Sequence, residues 1–364
     1  MTAMAHASWT DQIDAVLSTT SDLLFSWVLM WLLVGAGIFF TVRTRAVQLR
    51  HTSAIAASVA GSRDGRHGGI TSFQAFAVGL ACRVGTGNIV GVALALILGG
   101  PGAVLWMWLV AILGTATAFS EATLAQLFKV RRPDGTFRGG PAYYISRGLG
   151  SRRWAGVFAV VITFVFGFAY EATQANAISK VMEGTFGMPP WGTAIALMVL
   201  AMPVVVGGIS IVARIAEWMA PLMAGLYALM ALVVLVLHAG AIPGALASIV
   251  SGAFGADQAV AGISGGFAAA ALNGIKRGLF SNEAGEGSVP NAAATATVAH
   301  PVQQGLIQSL GVFVDTIVVC TATAFVILIA GPDTWTAPGA NPSTLTTLAI
   351  AHGLGGWTVL PMAV

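Results

Sequence analysis

"CRVGTGNIVG", residues 82–91, interrupts a run of sequence that is otherwise apolar enough to cross a membrane. The run extends from Thr71 to Leu98, and Arg83, Gly85, Thr86, Gly87 and Asn88 stand in its middle. A straight spanning helix gains nothing from them, because glycine weakens a helix and a charge at bilayer depth is expensive. An interrupted helix in lipid leaves N–H and C=O groups unpaired at several kcal/mol each, so it persists only where protein or a watery cavity satisfies them. The freed groups then make a binding site. Amides at a half-helix start attract a carboxylate, and freed carbonyls hold a cation such as sodium.

The rest of the chain supports a membrane reading. Of 364 residues, 56% are hydrophobic and 9% charged, and the mean hydropathy is +0.83. Soluble domains carry roughly 25% charged residues. The expected fold is all-α and polytopic. At about 20 apolar residues per crossing, eight segments emerge: 22–42, 70–98, 102–128, 154–180, 191–210, 215–238, 262–298 and 303–331. A further apolar run begins near Trp357 and stops at Val364, too short to span. Thirteen of the seventeen Lys and Arg residues fall after the first segment, after the third, or at the start of the sixth. All three positions lie on one side under this count, which the positive-inside rule makes cytoplasmic. The N-terminus is then outside, and residues 1–20 lack the basic start of a signal peptide.

The seventh segment contains a second interruption, "LFSNEAGEGSVPN". Gly285 and Gly287 repeat the G-x-G pattern, with Ser281, Asn282, Glu283, Glu286 and Ser288 around them. "TATAF" occurs at 115–119 and at 321–325, each time in the helix after an interrupted one. Five helices separate the start of the first interrupted segment from the start of the second, so the second enters from the opposite side, as in an inverted repeat. A third polar cluster, "YEATQANAISK" at 170–180, places Tyr170 and Gln174 four residues apart on one helix face.

Charges inside spans are expected to face the interior in pairs. Arg83 has Glu283, Glu286 and Asp315 as candidate partners. Asp315 is deep within its segment, Lys276 and Arg277 are also within a span, and Glu121 is near enough to a helix end to snorkel. His300 reads as a helix-end residue. Cys82 and Cys320 lie in apolar segments and read as packing residues, with no metal-site spacing. A phosphate loop is disfavoured because the Lys-Ser/Thr ending is missing. Neither G-x-S-x-G nor H-E-x-x-H occurs, so no enzyme site is expected.

"SFQAF…RVGTGNIVGVA", "GGPGAVLWMW", "FRGGPAYYI", "QANAIS", "LFSNEAGEGSVPNAAATA" and "GVFVDTIVVCTATA" together resemble the alanine or glycine:cation symporter family, from about residue 20 onward. That resemblance implies the leucine-transporter architecture of five plus five helices, with the first helix of each half broken. It divides the chain into an extra helix and loop (1–69), a first repeat (70–240) and a partial second repeat (241–364). It implies symport of small neutral amino acids, alanine and glycine, with sodium or protons, in a bacterial inner membrane. No cofactor beyond the coupling ion and no nucleic-acid partner is implied. Substrate contacts fall on Thr86, Gly87, Asn88, Gln174, Asn282, Glu283 and Gly285, and cation contacts on Val84, Gly85, Asn88 and Ser281. The substrate carboxylate is expected at the half-helix start after Gly87 and its ammonium at carbonyls near Asn282–Gly285. The family pattern runs three or more helices past residue 364, so the second half is expected to be incomplete and the 364-residue chain inactive by itself. A passive pore and a non-transporting sensor stay open as alternatives.

Overall fold

A computed structural model describes residues 9–63, 69–254 and 266–358. Arg66, residues 255–261, the first four residues of the seventh segment and the run after Thr358 lie outside the described residues. Among the described residues the chain is all-α apart from one short hairpin and an isolated bridge between Ile70 and Ala296. The helices that frame the site and its surroundings are α1 (Ala15–Arg43), α2 (Ser72–Arg83), α3 (Gly87–Gly99), α4 (Ala103–Leu127), α5 (Arg152–Phe186), α6 (Pro190–Val206), α7 (Ile209–Leu237), α8 (Ala239–Ala253), α9 (Gly266–Asn282), α10 (Val289–Thr295), α11 (Pro301–Ile329) and α12 (Pro342–Leu354). The hairpin pairs β1 (Val130–Arg131) with β2 (Phe137–Arg138), antiparallel, after α4. Several of these helices are long and apolar enough to cross a membrane.

Local chemistry fixes the ends. Thr71 caps α2 by accepting from the Gln74 amide while the Gln74 side chain accepts from the Thr71 amide, a capping box. His300 caps α11 through Nδ1, which accepts from the Val302 amide. Proline opens α6 and α12, where its missing N–H costs nothing.

Two sequence expectations need adjustment. The 191–210 segment forms a helix of 17 residues, shorter than a perpendicular crossing needs. The segments after α7 and after α11 contain helices α8 and α12, which no spanning-length run announced.

The centre of the molecule is α4. It packs most extensively against α11 and α9, the helices that follow and form the second interruption. The stretch 114–122 is buried on all sides, and all but Phe119 and Glu121 in it are small; small side chains let backbones approach in the absence of a hydrophobic drive. The two TATAF stretches therefore lie in two helices that pack on one another. α5 has nearly the same hydropathy as α4 but is 6% buried against 67%. It presents Trp154, Val160, Val161, Phe164 and Phe168 outward. The first segment, α1, lies along α4, with Leu33 and Val34 packed against Val110 and Leu279.

Candidate functional site

The first interruption is a bend of 46° between α2 and α3. Val84 leaves helical geometry, with φ −77° and ψ 92°. Two amides released there find side-chain acceptors. The Gly85 amide donates to Asn88 Oδ1 at 3.0 Å, and the Thr86 amide donates to Gln174 Oε1 of α5 at 3.2 Å. Both glycines are sites of close approach. A Cβ on Gly85 would lie 3.0 Å from Gln174 Nε2, and one on Gly87 would lie 3.2 Å from the Ser281 Cα. The two interruptions thus touch at Gly87 and Ser281.

The second interruption separates α9 from α10. Glu283, Gly285 and Gly287 all have positive φ, at 51°, 92° and 85°. Glu283 accepts a short hydrogen bond from Ser288 across the gap. Asn282 turns its side chain back on its own loop, Oδ1 accepting from the Ala284 amide at 3.0 Å. Gly285 faces Leu33 of α1 and Thr117 of α4.

Asp315 ties the two interruptions together. Its Oδ1 accepts from Asn88 Nδ2 at 2.6 Å, and its Oδ2 accepts from Ser281 Oγ at 2.9 Å and Thr316 Oγ1 at 2.8 Å. Its main-chain carbonyl also accepts from Asn88 Nδ2 at 3.2 Å. The carboxylate is fully buried and forms no ion pair among the described residues. Cys320 completes the group, with Sγ 3.4 Å from Asn88 Nδ2 and 3.2 Å from Ser281 Oγ. Asp315 and Cys320 both belong to a π-helical turn, Phe313–Cys320. Asn88 and Tyr170 also lie in such turns, Gly87–Gly91 and Val165–Tyr170. Turns of this type recur at functional sites.

Tyr170 covers the group from α5. Its ring stacks between Phe166 and Phe280, at centroid distances of 4.4 and 5.2 Å. Its hydroxyl donates to Glu286 Oε2 at 2.6 Å. One face of α5 therefore reaches both interruptions, Gln174 the first and Tyr170 the second.

Of the residues singled out in the sequence, Gly85, Thr86, Gly87, Asn88, Gln174 and Ser281 come together here. Val84 adjoins them but packs with Phe76, Leu80 and Ile307. The side chains of Asn282 and Glu283, and the backbone at Gly285, are turned toward α4, α1 or their own loop. The Asn282 carbonyl, expected at a substrate ammonium, accepts from Arg83 Nε at 2.9 Å. Arg83, expected in an ion pair, forms none among the described residues. Its other hydrogen bond goes to Gln308 Oε1 of α11 at 3.1 Å, so a neutral amide and a carbonyl hold the buried guanidinium. Lys276 pairs instead with Asp22 of α1 at 3.0 Å. Glu121 does not snorkel; it is buried. Cys320 is a member of the polar group rather than a packing residue alone. Asp315 was visible as a deep charge, but its place opposite Asn88 was not.

The sequence profile of the sodium:alanine symporter family matches residues 10–364. The chain is similar to the amino-acid carrier protein AlsT of Bacillus subtilis, with 46% identity over 96% of this chain and 73% of the relative. It is similar to the probable sodium/glutamine symporter GlnT of the same organism, with 44% identity over 95% of this chain and 71% of the relative. It is also similar to the sodium/alanine symporter AgcS of Methanococcus maripaludis, with 37% identity over 93% of this chain and 75% of the relative. With its array of apolar helices and two interrupted ones, the chain is a multi-pass membrane protein of the sodium:alanine symporter family.

Proposed function

We propose that this protein carries small neutral amino acids, alanine and glycine, across the membrane together with sodium, by alternating access around the junction of the two interruptions. The observation that carries this reading is the convergence of Asn88, Ser281 and Asp315 from three different helices on one buried carboxylate. A buried carboxylate without a counter-charge is costly, and hard cations take oxygen ligands. Asp315 and the Ser281 hydroxyl are oxygens of that kind. Asn88 Oδ1 retains a second lone pair beyond the one engaged by Gly85. The carbonyls of Val84 and Gly85, the second of which accepts from the Asn88 amide at 3.2 Å, would add backbone oxygens.

The amino acid would lie beside the cation, its carboxylate toward the half-helix start at Thr86–Asn88 and its amine toward polar groups of the second interruption. Gln174 would position the first interruption through the Thr86 amide. The tight approach of Gly87 to Ser281 and the Tyr170–Phe280 stack support a small side chain. Residues 70–240 and 241–364 would be the two inversely oriented halves, in a bacterial plasma membrane with the N-terminus outside. One charge crossing 100 mV supplies about 2.3 kcal/mol, to which a sodium gradient adds.

The test is uptake of labelled alanine by proteoliposomes holding the chain extended by the further helices of the family pattern, beside proteoliposomes holding the 364-residue chain, in which uptake is expected to be absent. Uptake should collapse when external sodium is replaced by choline. Unchanged uptake in choline would remove sodium and leave protons as the coupling ion. Glycine should compete strongly and leucine weakly. Because a relative bears a glutamine name, glutamine belongs in the competition series. Displacement by glutamine at lower concentration than alanine would overturn the small-pocket reading.

A further inference from the structure

The stretch "FRGGPAYYI" (137–145) has no part in the site above, yet it lies where chain movement would be felt. It packs on α10 at the end of the molecule that carries the arginine-rich loops. A Cβ on Gly139 would lie 2.5 Å from that of Ala294 and 3.0 Å from the Ala125 carbonyl. Gly140, at φ +107°, has no room for a side chain against Asn291. The last turn of α4 and the residues after it supply hydrogen bonds to the same helix. Gln126 Nε2 donates to the carbonyls of Ala293 and Ala296, at 2.5 and 3.0 Å. Lys129 Nζ donates to the Ala296 carbonyl and to Gln126 Oε1, both at 2.6 Å. It also sits 4.2 Å above the Phe137 ring. Burial lowers the pKa of Lys129 to about 8, which still leaves an ammonium at neutral pH.

These bonds go to carbonyls at the end of α10, where a helix runs short of its own donors; the Ala293 carbonyl also accepts from the Ala296 amide at 3.3 Å. α10 has only seven residues and joins α9 through residues of positive φ. Its position is therefore set by what grips it rather than by its own length. The grip consists of side chains on main-chain carbonyls, so it can open without unfolding a helix. Beside it the Thr297 amide donates to the Ile70 carbonyl at 3.0 Å, tying the end of α10 to the start of α2.

We propose that Gln126 and Lys129, backed by the Gly139–Gly140 turn, are positioning residues that clasp α10, and that releasing this clasp opens the route from the site to the basic side. The proposal deepens the transport reading, but its test needs no substrate.

Thr297, whose hydroxyl is buried in this seam, is replaced by cysteine in a background where the exposed Cys82 is serine. An impermeant maleimide is applied from the basic side of oriented vesicles, and thermal midpoints are recorded in parallel. Losing one net hydrogen bond shifts a two-state equilibrium about two- to tenfold. Gln126→Ala and Lys129→Ala each remove at least one such bond and should raise the labelling rate by at least that factor. Lys129→Arg, which keeps the charge and the donors, should label at the parent rate. Should Gln126→Ala fail to fold, Gln126→Asn, one methylene too short, carries the same expectation. Labelling that stays at the parent rate in the folded alanine variants, with only the thermal midpoint lowered, would reduce the clasp to structural support and overturn the proposal. Equal labelling of Lys129→Arg and Lys129→Ala would do the same. Labelling is independent of alanine uptake, so failure of one reading is distinguishable from failure of the other.

Discussion

The two interruptions share a G-x-G pattern but use their glycines for different physical reasons. In the first, Gly85 and Gly87 have ordinary negative φ, and the missing Cβ gives room for Gln174 and for the Ser281 backbone. In the second, Gly285 and Gly287 have positive φ, a conformation that costs a side-chain-bearing residue about 1–2 kcal/mol. The first is a bend kept open by contacts from outside, and the second is a loop set by its own backbone. One short pattern at membrane depth therefore does not define one geometry. Arg83 links the two, since it belongs to the first and donates to the Asn282 carbonyl of the second.

The largest expected effect follows from removing that link. Arg83→Ala leaves the Asn282 carbonyl and Gln308 without their buried donor, at about 1–3 kcal/mol each. A large fall in thermal midpoint is expected in detergent. A midpoint at the parent value would mean that the two interruptions hold together without it.

Gly287→Ala sharpens the contrast between the glycines. Besides the positive φ, its Cβ would lie 2.7 Å from Phe158 and 2.9 Å from Pro141, so a destabilisation of about 2–4 kcal/mol is expected. If Gly287→Ala and Gly85→Ala prove equally mild by thermal unfolding, the distinction between loop and bend is wrong.

Asp315→Asn keeps the shape of the junction and removes its charge. Hydrogen bonds to charged groups contribute about 1.5–3 kcal/mol, so the sodium concentration for half-maximal alanine uptake should rise by at least about tenfold. A sodium dependence indistinguishable from the parent would exclude Asp315 from the cation site.

The smallest effect is expected at the first interruption. Gln174→Ala removes the acceptor for the Thr86 amide, worth about 0.5–1.5 kcal/mol, and should show in alanine affinity rather than in folding. A lowered thermal midpoint with unchanged affinity would place Gln174 in the scaffold.

How much of this was legible in advance depends on the range of the interaction concerned. Apolar length alone marked most of the spanning-length helices, because the bilayer demands it whatever the neighbours are. The polar residues inside two of those runs marked where each helix breaks, because an unpaired backbone in lipid is too costly to occur without a use. Tyr170 and Gln174 were on one face because 3.6 residues make a turn. What the sequence by itself could not decide was which charged group meets which. Arg83 was expected against a carboxylate and lies instead on a carbonyl and Gln308. α4 and α5 have nearly equal hydropathy, yet packing buries one and exposes the other. Asp315 and Cys320 are five residues apart, about 140° around an ordinary α-helix. The π-helical turn between them brings residues five apart nearly into register. Both then reach Asn88 and Ser281. That register depends on contacts between α3, α9 and α11, which are far apart in the chain, so only the tertiary structure determined it.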